Sequence, residues 1–85
     1  MRLDKFLKVS RVIKRRTVAN EACAGGRVTV NGKRAKPSAE VKPGDIVEVN
    51  LGQRGTRFEV LTVSEHVSKQ GASDMYRVLG QTEED

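Results

Sequence analysis

The stretch RTVANEACAGGRVTVNG, residues 16–32, decides the fold, because it places a helix, its stop and a β-hairpin in direct succession. The spacing of small and apolar residues predicts a helix from Arg16 to Ala24. Its expected buried side consists of Val18, Ala19, Ala22 and Cys23. Gly25-Gly26 predicts the end of this helix, since glycine adopts the left-handed C-terminal conformation without strain.

A β-hairpin is predicted directly after that helix. Val28 and Val30 alternate with polar residues as in a half-buried strand, and Asn31-Gly32 is a strong signal for a two-residue turn. Asn31 and Gly32 are therefore interpreted as turn formers rather than as ligand contacts. Residues 33–36 are predicted to be the returning strand or an extended segment.

A first helix is predicted upstream, from Leu3 to Ser10 or Arg11. Four residues of this segment follow the spacing i, i+3, i+4 and i+7, which places them on one stripe of a helix. They are Leu3, Phe6, Leu7 and Ser10.

The second half of the chain is predicted to be mainly β-structure. KPGD, residues 42–45, is typical of a tight turn with proline and glycine at its centre. Apolar and β-branched residues predict three strands, at Ile46–Leu51, Phe58–Val63 and Met75–Leu79. The polar stretch 64–74 is predicted to be a mobile loop, and the acidic end, residues 80–85, a frayed tail.

The composition indicates one small, basic domain. The 85 residues carry a net charge of +5, and this charge is unevenly placed. Residues 1–36 contain eleven lysines and arginines against two acids, whereas residues 37–85 contain five against nine. Such asymmetry is typical of a module that binds a polyanion. Charge alone leaves open a soluble domain with a solvated positive face.

The sequence predicts a cytoplasmic protein. It contains no run of 18 apolar residues, and the charged N-terminus MRLDKFLKVSRV lacks the apolar stretch of a secretory signal. Cys23 is the only cysteine, so no internal disulfide forms, which fits a reducing compartment.

The residues offer no constellation for catalysis, and we expect no enzyme, no cofactor and no metal. Cys23 and His66 are the only residues of their kinds, whereas a zinc site needs at least three protein ligands. Cys23 lies on the apolar side of the second helix, where a small thiol packs in the core. The glycines match no phosphate-binding loop.

A basic cluster, KRRT at residues 14–17, leads into the second helix. Exposed cations at a helix N-terminus oppose the dipole by about 0.3–1 kcal/mol each, and these also occupy positions that usually carry a cap. A bound phosphate would satisfy the free N–H groups, the dipole and the guanidinium groups together. With only three aromatic residues the chain lacks a base-stacking platform, so we expect contacts to the phosphates of structured RNA.

The candidate RNA-binding residues lie on both predicted helices and along the hairpin. They are Arg2, Lys5, Lys8, Arg11, Lys14, Arg15, Arg16, Thr17, Lys33, Arg34 and Lys36. Asp4 is expected either to cap the first helix or to orient the neighbouring basic side chains, and capping is the preferred interpretation.

Four signals, in this order and spacing, resemble the alpha-L RNA-binding domain of the ribosomal protein S-four type. They are RLDK (2–5), an Arg-x-x-Ala helix start (Arg16 and Ala19), GRVTVNG (26–32) and KPGD (42–45). The resemblance implies an α+β fold, with two N-terminal helices packed on a small, mostly antiparallel sheet. It divides the chain into an alpha-L domain (1–50), a β extension of the same domain (51–79) and the acidic tail (80–85).

The stand-alone form, with KRRT before the second helix and a short β extension after the alpha-L domain, resembles in particular the family of the bacterial ribosome quality-control factor P and the fifteen-kilodalton heat-shock protein. This resemblance implies a factor that binds obstructed large ribosomal subunits through large-subunit rRNA and peptidyl-tRNA. It also implies help in C-terminal alanine tailing of stalled chains, with a tailing factor on the same subunit as a partner. No membrane and no small-molecule substrate is expected as a partner, and a monomer is expected.

Two alternatives stay open at this point. The chain could be a stand-alone RNA-binding module that serves rRNA modification or ribosome assembly. It could also be a protein-interaction domain whose basic face meets an acidic partner, in a complex that nuclease treatment leaves intact.

Overall fold

The chain folds as two N-terminal helices against one antiparallel sheet, which confirms the expected α+β class. The computed structural model describes residues 1–52, 54–64, 67 and 69–83. Its elements, in chain order, are α1 (Leu3–Val9), α2 (Arg16–Ala24), β1 (Val28–Val30), β2 (Lys33–Arg34), β3 (Ile46–Leu51), β4 (Arg54–Val60), α3 (Lys69–Ala72), a 3-10 turn (Ser73–Met75) and β5 (Tyr76–Glu83). None of the helices in these described ranges is long and apolar enough to span a bilayer.

The five strands are ordered β2-β1-β3-β4-β5, and every neighbouring pair is antiparallel. Thr29 of β1 lies opposite Glu48 of β3, and Val47 of β3 lies opposite Phe58 of β4. Because successive side chains on a strand point to opposite faces, Val47 and Phe58 share one face and Thr29 and Glu48 the other. The first of these faces packs against the helices, since Phe58 stacks on Phe6 of α1.

The glycine pair builds the end of α2, as predicted. Gly25 is the C-cap, and Gly26 follows it with a left-handed φ of 76°. The N–H of Gly26 donates to the carbonyl of Cys23 at 3.1 Å, and the N–H of Arg27 donates to that of Ala22 at 2.9 Å. This pair of bonds is the Schellman motif, which satisfies carbonyls that the helix leaves unpaired.

The start of α1 is closed by backbone groups of the segment before β3. The N–H of Leu3 donates to the carbonyl of Ala39 at 2.7 Å, and the N–H of Asp4 donates to that of Pro37 at 3.1 Å. Arg2 is the N-cap, and its side chain makes no capping hydrogen bond. Backbone carbonyls of a distant segment therefore take the place of a capping side chain.

The hydrophobic core lies between the helices and the inner face of the sheet. The rings of Phe6 and Phe58 stack with centroids 6.1 Å apart, and Tyr76 meets Phe58 edge-on at 5.3 Å. Cys23 packs in this core, as predicted. Val18, expected on the buried side of α2, is instead 41% exposed. It lies about 100° around the helix from Ala19, which takes the contact with the core.

Asn31 fastens the β1–β2 turn to the turn before β3. Asn31 and Gly32 both have positive φ, at 53° and 83°, which confirms the predicted two-residue turn. The Asn31 side chain donates to Oδ1 of Asp45 at 3.1 Å and accepts from the N–H of Ile46 at 2.9 Å. Asp45 is buried and also accepts from the N–H of Lys42, so it closes the predicted KPGD turn.

Strand β4 differs from the strand predicted at Phe58–Val63. It spans Arg54–Val60, because β3 pairs with it from Ile46 opposite Glu59 to Leu51 opposite Arg54. Through this pairing, polar residues become part of the sheet although their own sequence shows no apolar strand pattern. β2 likewise covers only Lys33–Arg34 of the predicted returning segment 33–36.

The prediction of a loop over residues 64–74 is wrong in part. That stretch contains α3 and the start of the 3-10 turn, and Ala72 is buried in it. Residues 65, 66 and 68 of the predicted loop lie outside the described residues. Strand β5 spans Tyr76–Glu83 rather than Met75–Leu79, since its pairing with β4 continues to Glu83 opposite Arg54. Residues 80–83 therefore belong to the sheet and not to a frayed tail, and residues 84 and 85 lie outside the described residues.

Candidate nucleic-acid interface

The carboxylate of Asp4 holds two arginines, one at the start of α1 and one at the start of α2. Asp4 is 2% exposed. Arg2 donates to it twice, from Nε to Oδ1 and from Nη2 to Oδ2, both at 3.2 Å. Nη2 of Arg16 lies 3.6 Å from Oδ1. One buried acid thus fixes two arginines of different elements beside each other, while 51% and 46% of their side-chain surfaces stay exposed.

Two further donors complete the surroundings of Asp4. Nδ2 of Asn20 donates to Oδ2 at 3.3 Å, and the N–H of Lys5 donates to Oδ1 at 2.8 Å. Asp4 therefore satisfies an N–H of the first turn of α1 and also orients basic side chains. The orienting contacts, which the sequence suggested as the lesser role, are the more numerous.

The donors around Asp4 keep its carboxylate charged. Burial by itself raises the pKa of Asp4. Four donors together lower this pKa by more than burial raises it: the hydrogen bond from Asn20, the charge of Arg16, the N–H of Lys5 and the hydrogen bond from Arg2. The net result is a pKa below the ordinary value of an aspartate. At neutral pH the site therefore contains one anion and two cations, and it carries a net positive charge.

Further basic residues lie along α1, in the turn after it and at the start of α2. We call Arg2, Lys5, Lys8, Arg11, Lys14, Arg15 and Arg16 the basic surface. Lys8, Arg11, Lys14 and Arg15 are exposed, and within the described ranges their side chains make no hydrogen bond or ion pair. Arg11, expected at the end of the first helix, lies beyond it, because α1 ends at Val9.

Helix α2 begins among these cations without a capping side chain. Arg15 is the N-cap, and its side chain makes no capping hydrogen bond. Arg16 and Thr17 open the helix, and its first turn contains no acid. The positive end of the helix dipole therefore lies next to positive side chains, an arrangement that favours a bound anion.

The basic residues of the hairpin divide between two places. Lys36 directly precedes Pro37, whose carbonyl accepts the N–H of Asp4, so it lies near the start of α1. Arg34 lies against the other end of α2: a Cβ on Gly26 would be 3.5 Å from three atoms of the Arg34 side chain. Since α2 rises about 12 Å along its length, Arg34 and its neighbour Lys33 are remote from Arg16.

Asn20 is a member of the site that the sequence interpretation missed. It is exposed, and its amide is held by Asp4. The available signal was its position four residues after Arg16, which places both on one face of α2. Its connection to Asp4, 16 residues earlier, is a tertiary contact and left no local pattern.

Cys23 has no features of a catalytic nucleophile. Burial and the nearby charge of Asp4 raise the pKa of its thiol to about 11, so the reactive thiolate is scarce at neutral pH. Among the residues that the structure describes, no group of three His, Cys, Asp or Glu side chains is placed to hold a metal ion. His66 lies outside those residues.

A known domain family matches the part of the chain that contains the two helices and the hairpin. The model of the S4 domain matches residues 1–47, more than half of the chain. The chain belongs to the S4 domain family. Here the S4 domain contains α1, α2, β1, β2 and the start of β3, and therefore every residue of the basic surface.

Two relatives resemble this S4 domain protein along nearly its whole length. It is 54% identical over 78 residues to the RQC P-site tRNA stabilizing factor of Halalkalibacterium halodurans, a match that covers 92% of this chain and 89% of the relative. The factor of the same name from Bacillus subtilis is 49% identical over 79 residues, with coverage of 93% and 92%. The resemblance read from the sequence is thereby confirmed.

A solved structure shows the same fold. The heat shock protein 15 of Vibrio cholerae, solved as a trimer, matches with a TM-score of 0.84 and 33% identity, over 92% of this chain and 80% of that one. Since this coverage goes well beyond residues 1–47, the shared fold includes strands that follow the S4 domain.

Proposed function

We propose that the chain is a non-catalytic RNA-binding factor of ribosome-associated quality control. It binds obstructed large ribosomal subunits through large-subunit rRNA and the peptidyl-tRNA in the P site. The observation that carries this proposal is the Asp4 carboxylate, which holds Arg2 and Arg16 together within the basic surface. The relatives, whose name describes factors that stabilise P-site tRNA, support this choice of RNA.

The held arginines suit a phosphate ligand. A guanidinium has five N–H donors, and Arg2 gives two of them to Asp4, which leaves the others for a ligand. Arg16 touches Asp4 at a longer distance and is equally accessible. Because Asp4 fixes both groups before the ligand arrives, less side-chain freedom is lost on binding. A pair of charge-assisted contacts to one RNA backbone follows from this arrangement.

The placement of the aromatic residues also favours contacts to phosphates. Phe6 and Phe58 are fully buried, and Tyr76 is half-buried against Phe58. These are all the aromatic residues of the chain, so none offers an open ring for base stacking. Recognition through backbone phosphates and shape is typical of proteins that bind structured RNA.

In this role the chain supplies contacts and the ribosome supplies the chemistry. Bound next to the P site, it holds the peptidyl-tRNA while a tailing factor on the same subunit extends the stalled chain with alanine. It acts in the cytoplasm, as a monomer and without a cofactor. Neither a membrane nor a small-molecule substrate takes part.

Sedimentation of a lysate through sucrose gradients at low and high salt tests the proposal. The protein is expected with large subunits enriched in peptidyl-tRNA at low salt and at the top of the gradient at high salt. Arg16→Ala should reduce the low-salt fraction. Arg57→Ala is the matched control, because Arg57 is an exposed arginine of β4 that lies opposite Glu48, on the face away from the helices.

Three outcomes would contradict this function. Protein confined to the top of the gradient at both salts would exclude a ribosomal partner. Large subunits without peptidyl-tRNA would favour a module for rRNA modification or ribosome assembly. A complex that survives nuclease treatment would indicate an acidic protein partner.

A further inference from the structure

Arg11 has a backbone conformation that arginine adopts at a cost. Its φ is 63°, in the left-handed region. It follows Ser10, the C-cap of α1, and so occupies the position after the cap that glycine favours. Helix α2 shows the usual solution within the same chain, since Gly26 occupies the equivalent position with a φ of 76°.

The surrounding structure imposes this conformation on Arg11. The N–H of Arg11 donates to the carbonyl of Lys8, and the N–H of Ile13 donates to that of Leu7, both at 3.0 Å. Ser10 and Ile13, on either side, are buried. The chain must turn here whichever residue is present, and glycine would make the turn with less strain.

No contact within the described residues compensates for this strain. Among the described residues, Asn31 is the other non-glycine residue with positive φ, and its side chain binds Asp45 and the N–H of Ile46. The Arg11 side chain is exposed and makes no hydrogen bond or ion pair in the described part of the chain. A cation does gain from the dipole at a helix C-terminus, but this gain is smaller than the cost of a left-handed backbone.

We propose that Arg11 is a phosphate-binding anchor of the basic surface that is kept at a cost in fold stability. This inference rests on the proposed function and deepens it. Arg11 lies just past one end of α1 and Arg2 at the other, about 13–14 Å apart along the helix. In this proposal the RNA backbone is bound by arginines that are held in place in two different ways. Arg2 and Arg16 are fixed through a carboxylate, whereas Arg11 is fixed through its own main chain.

Two substitutions separate the charge of Arg11 from its backbone. Arg11→Gly and Arg11→Ala both remove the charge, but only glycine relieves the left-handed strain. The thermal unfolding midpoint of Arg11→Gly should equal or exceed that of the wild type and lie a few degrees above that of Arg11→Ala. Both variants should bind RNA equally weakly, although they differ in stability.

Binding is measured on purified large subunits that carry peptidyl-tRNA, over a salt series. Loss of one phosphate contact should make the slope of log affinity against log salt shallower by about 0.7–0.9 in both variants. Arg11→Lys should restore the slope, and Arg57→Ala should leave it unchanged. Wild-type binding by Arg11→Gly would overturn the proposal, and so would affinities that follow the unfolding midpoints instead of the charge.

A second RNA separates this inference from the proposed function. The same variants are titrated against unfractionated tRNA. If the wild type binds tRNA but not large subunits, the proposed function fails, while a shallower slope for Arg11→Gly on tRNA would still support the anchor. A wild type that binds neither RNA would overturn both.

Discussion

Asp4 is the residue on which the geometry of the basic surface depends. It is the shared acceptor for Arg2, Arg16, Asn20 and the N–H of Lys5, and it has almost no exposed surface. Removing a buried acid that accepts from several donors leaves those donors without their acceptor, which costs stability. We therefore expect a substitution of Asp4 to affect both the stability of the fold and the affinity for RNA.

Asp4→Asn should lower both stability and RNA affinity. The substitution keeps the shape, but it removes the charge and turns an acceptor into a donor that faces guanidinium groups. Because the arginines are half exposed, we expect a loss of about 1–2 kcal/mol in the free energy of unfolding, measured with urea. At a temperature where the variant is folded, its affinity for large subunits should still fall. Unchanged affinity would show that the arginines need no orientation.

The pH dependence of stability should carry the signature of Asp4. Its pKa is lowered in the folded state from the ordinary value of 3.8, so its charged form stabilises the fold. This contribution is present above that value and is lost as the pH falls through the lower, folded pKa. Urea midpoints of the wild type and Asp4→Asn should therefore differ at pH 7 and pH 5 and converge below about pH 4. A constant difference down to pH 2 would contradict this.

Cys23 should be inert in the folded protein. Its pKa is raised from the ordinary value of 9.0 to about 11, so the thiolate fraction at pH 8 falls about 100-fold, and the side chain is buried as well. A disulfide reagent should react rapidly only after urea is added. The same shift implies that stability is retained below pH 9 and declines from there toward pH 11, as the unfolded thiol ionises. Fast reaction of the native protein would exclude this packing.

At the scale of elements, the contact between the hairpin turn and the KPGD turn joins the two halves of the chain. Asn31 lies between β1 and β2, whereas Asp45 lies directly before β3, and these three strands are neighbours in the sheet. The contact sets where β3 begins, because Ile46 donates its N–H to the Asn31 side chain.

Two substitutions of Asn31 should separate the stability that comes from its side-chain hydrogen bonds from the stability that comes from its tolerance of a positive φ. Asn31→Gly keeps the positive φ but removes two hydrogen bonds, and we expect a loss of about 1–2 kcal/mol in the free energy of unfolding. Asn31→Ala adds the left-handed strain, for a further loss of about 1–2 kcal/mol. If both variants lost the same free energy of unfolding in urea melts, the turn would have changed its backbone conformation to avoid the strain. RNA affinity of the folded variants should be unchanged, since the turn lies outside the basic surface.

Elements whose signals are local agree with the sequence. The bounds of α2 follow from its spacing and from the Gly25-Gly26 stop, and the observed helix Arg16–Ala24 is the predicted one. Strand β4 depends instead on its two partner strands, since Arg57 pairs with Glu48 of β3 and with Gly80 of β5. A strand that neighbouring strands impose leaves little periodicity in its own sequence.

At the scale of the whole molecule, the basic residues of the first half of the chain and several acids of the second half lie on different surfaces. The basic surface lies on α1, α2 and the turn between them. Among the acids of the second half, Glu48 is on the outer face of the sheet and Glu59 pairs with Arg77 at 2.6 Å. Glu40 lies at the start of α1, where it binds the N-terminal amino group at 3.0 Å. The asymmetry of the sequence thus becomes a polarity of the molecule, which favours approach of a polyanion from the helix side.

RNA affinity should therefore depend steeply on salt. If about five phosphates are neutralised, log affinity should fall against log salt with a slope of about −3.5 to −4.5. Titration of large subunits at several salt concentrations measures this slope. A slope near zero would contradict a phosphate-based interface, and an equal slope for a variant that lacks both Arg2 and Arg16 would exclude these two residues from it.

The sequence by itself determined the local features of this protein. The helix–glycine–hairpin order of residues 16–32, the KPGD turn and the concentration of basic residues in the first half can all be read from neighbouring positions, because caps, turns and charge act over a few residues. Only the tertiary structure decided that Asp4 meets Arg16 and Asn20, that Arg34 packs at the far end of α2 and that β4 pairs with β5 as far as Arg54 opposite Glu83. These are contacts between segments distant in sequence. Packing of whole elements sets them, and no local pattern records the result.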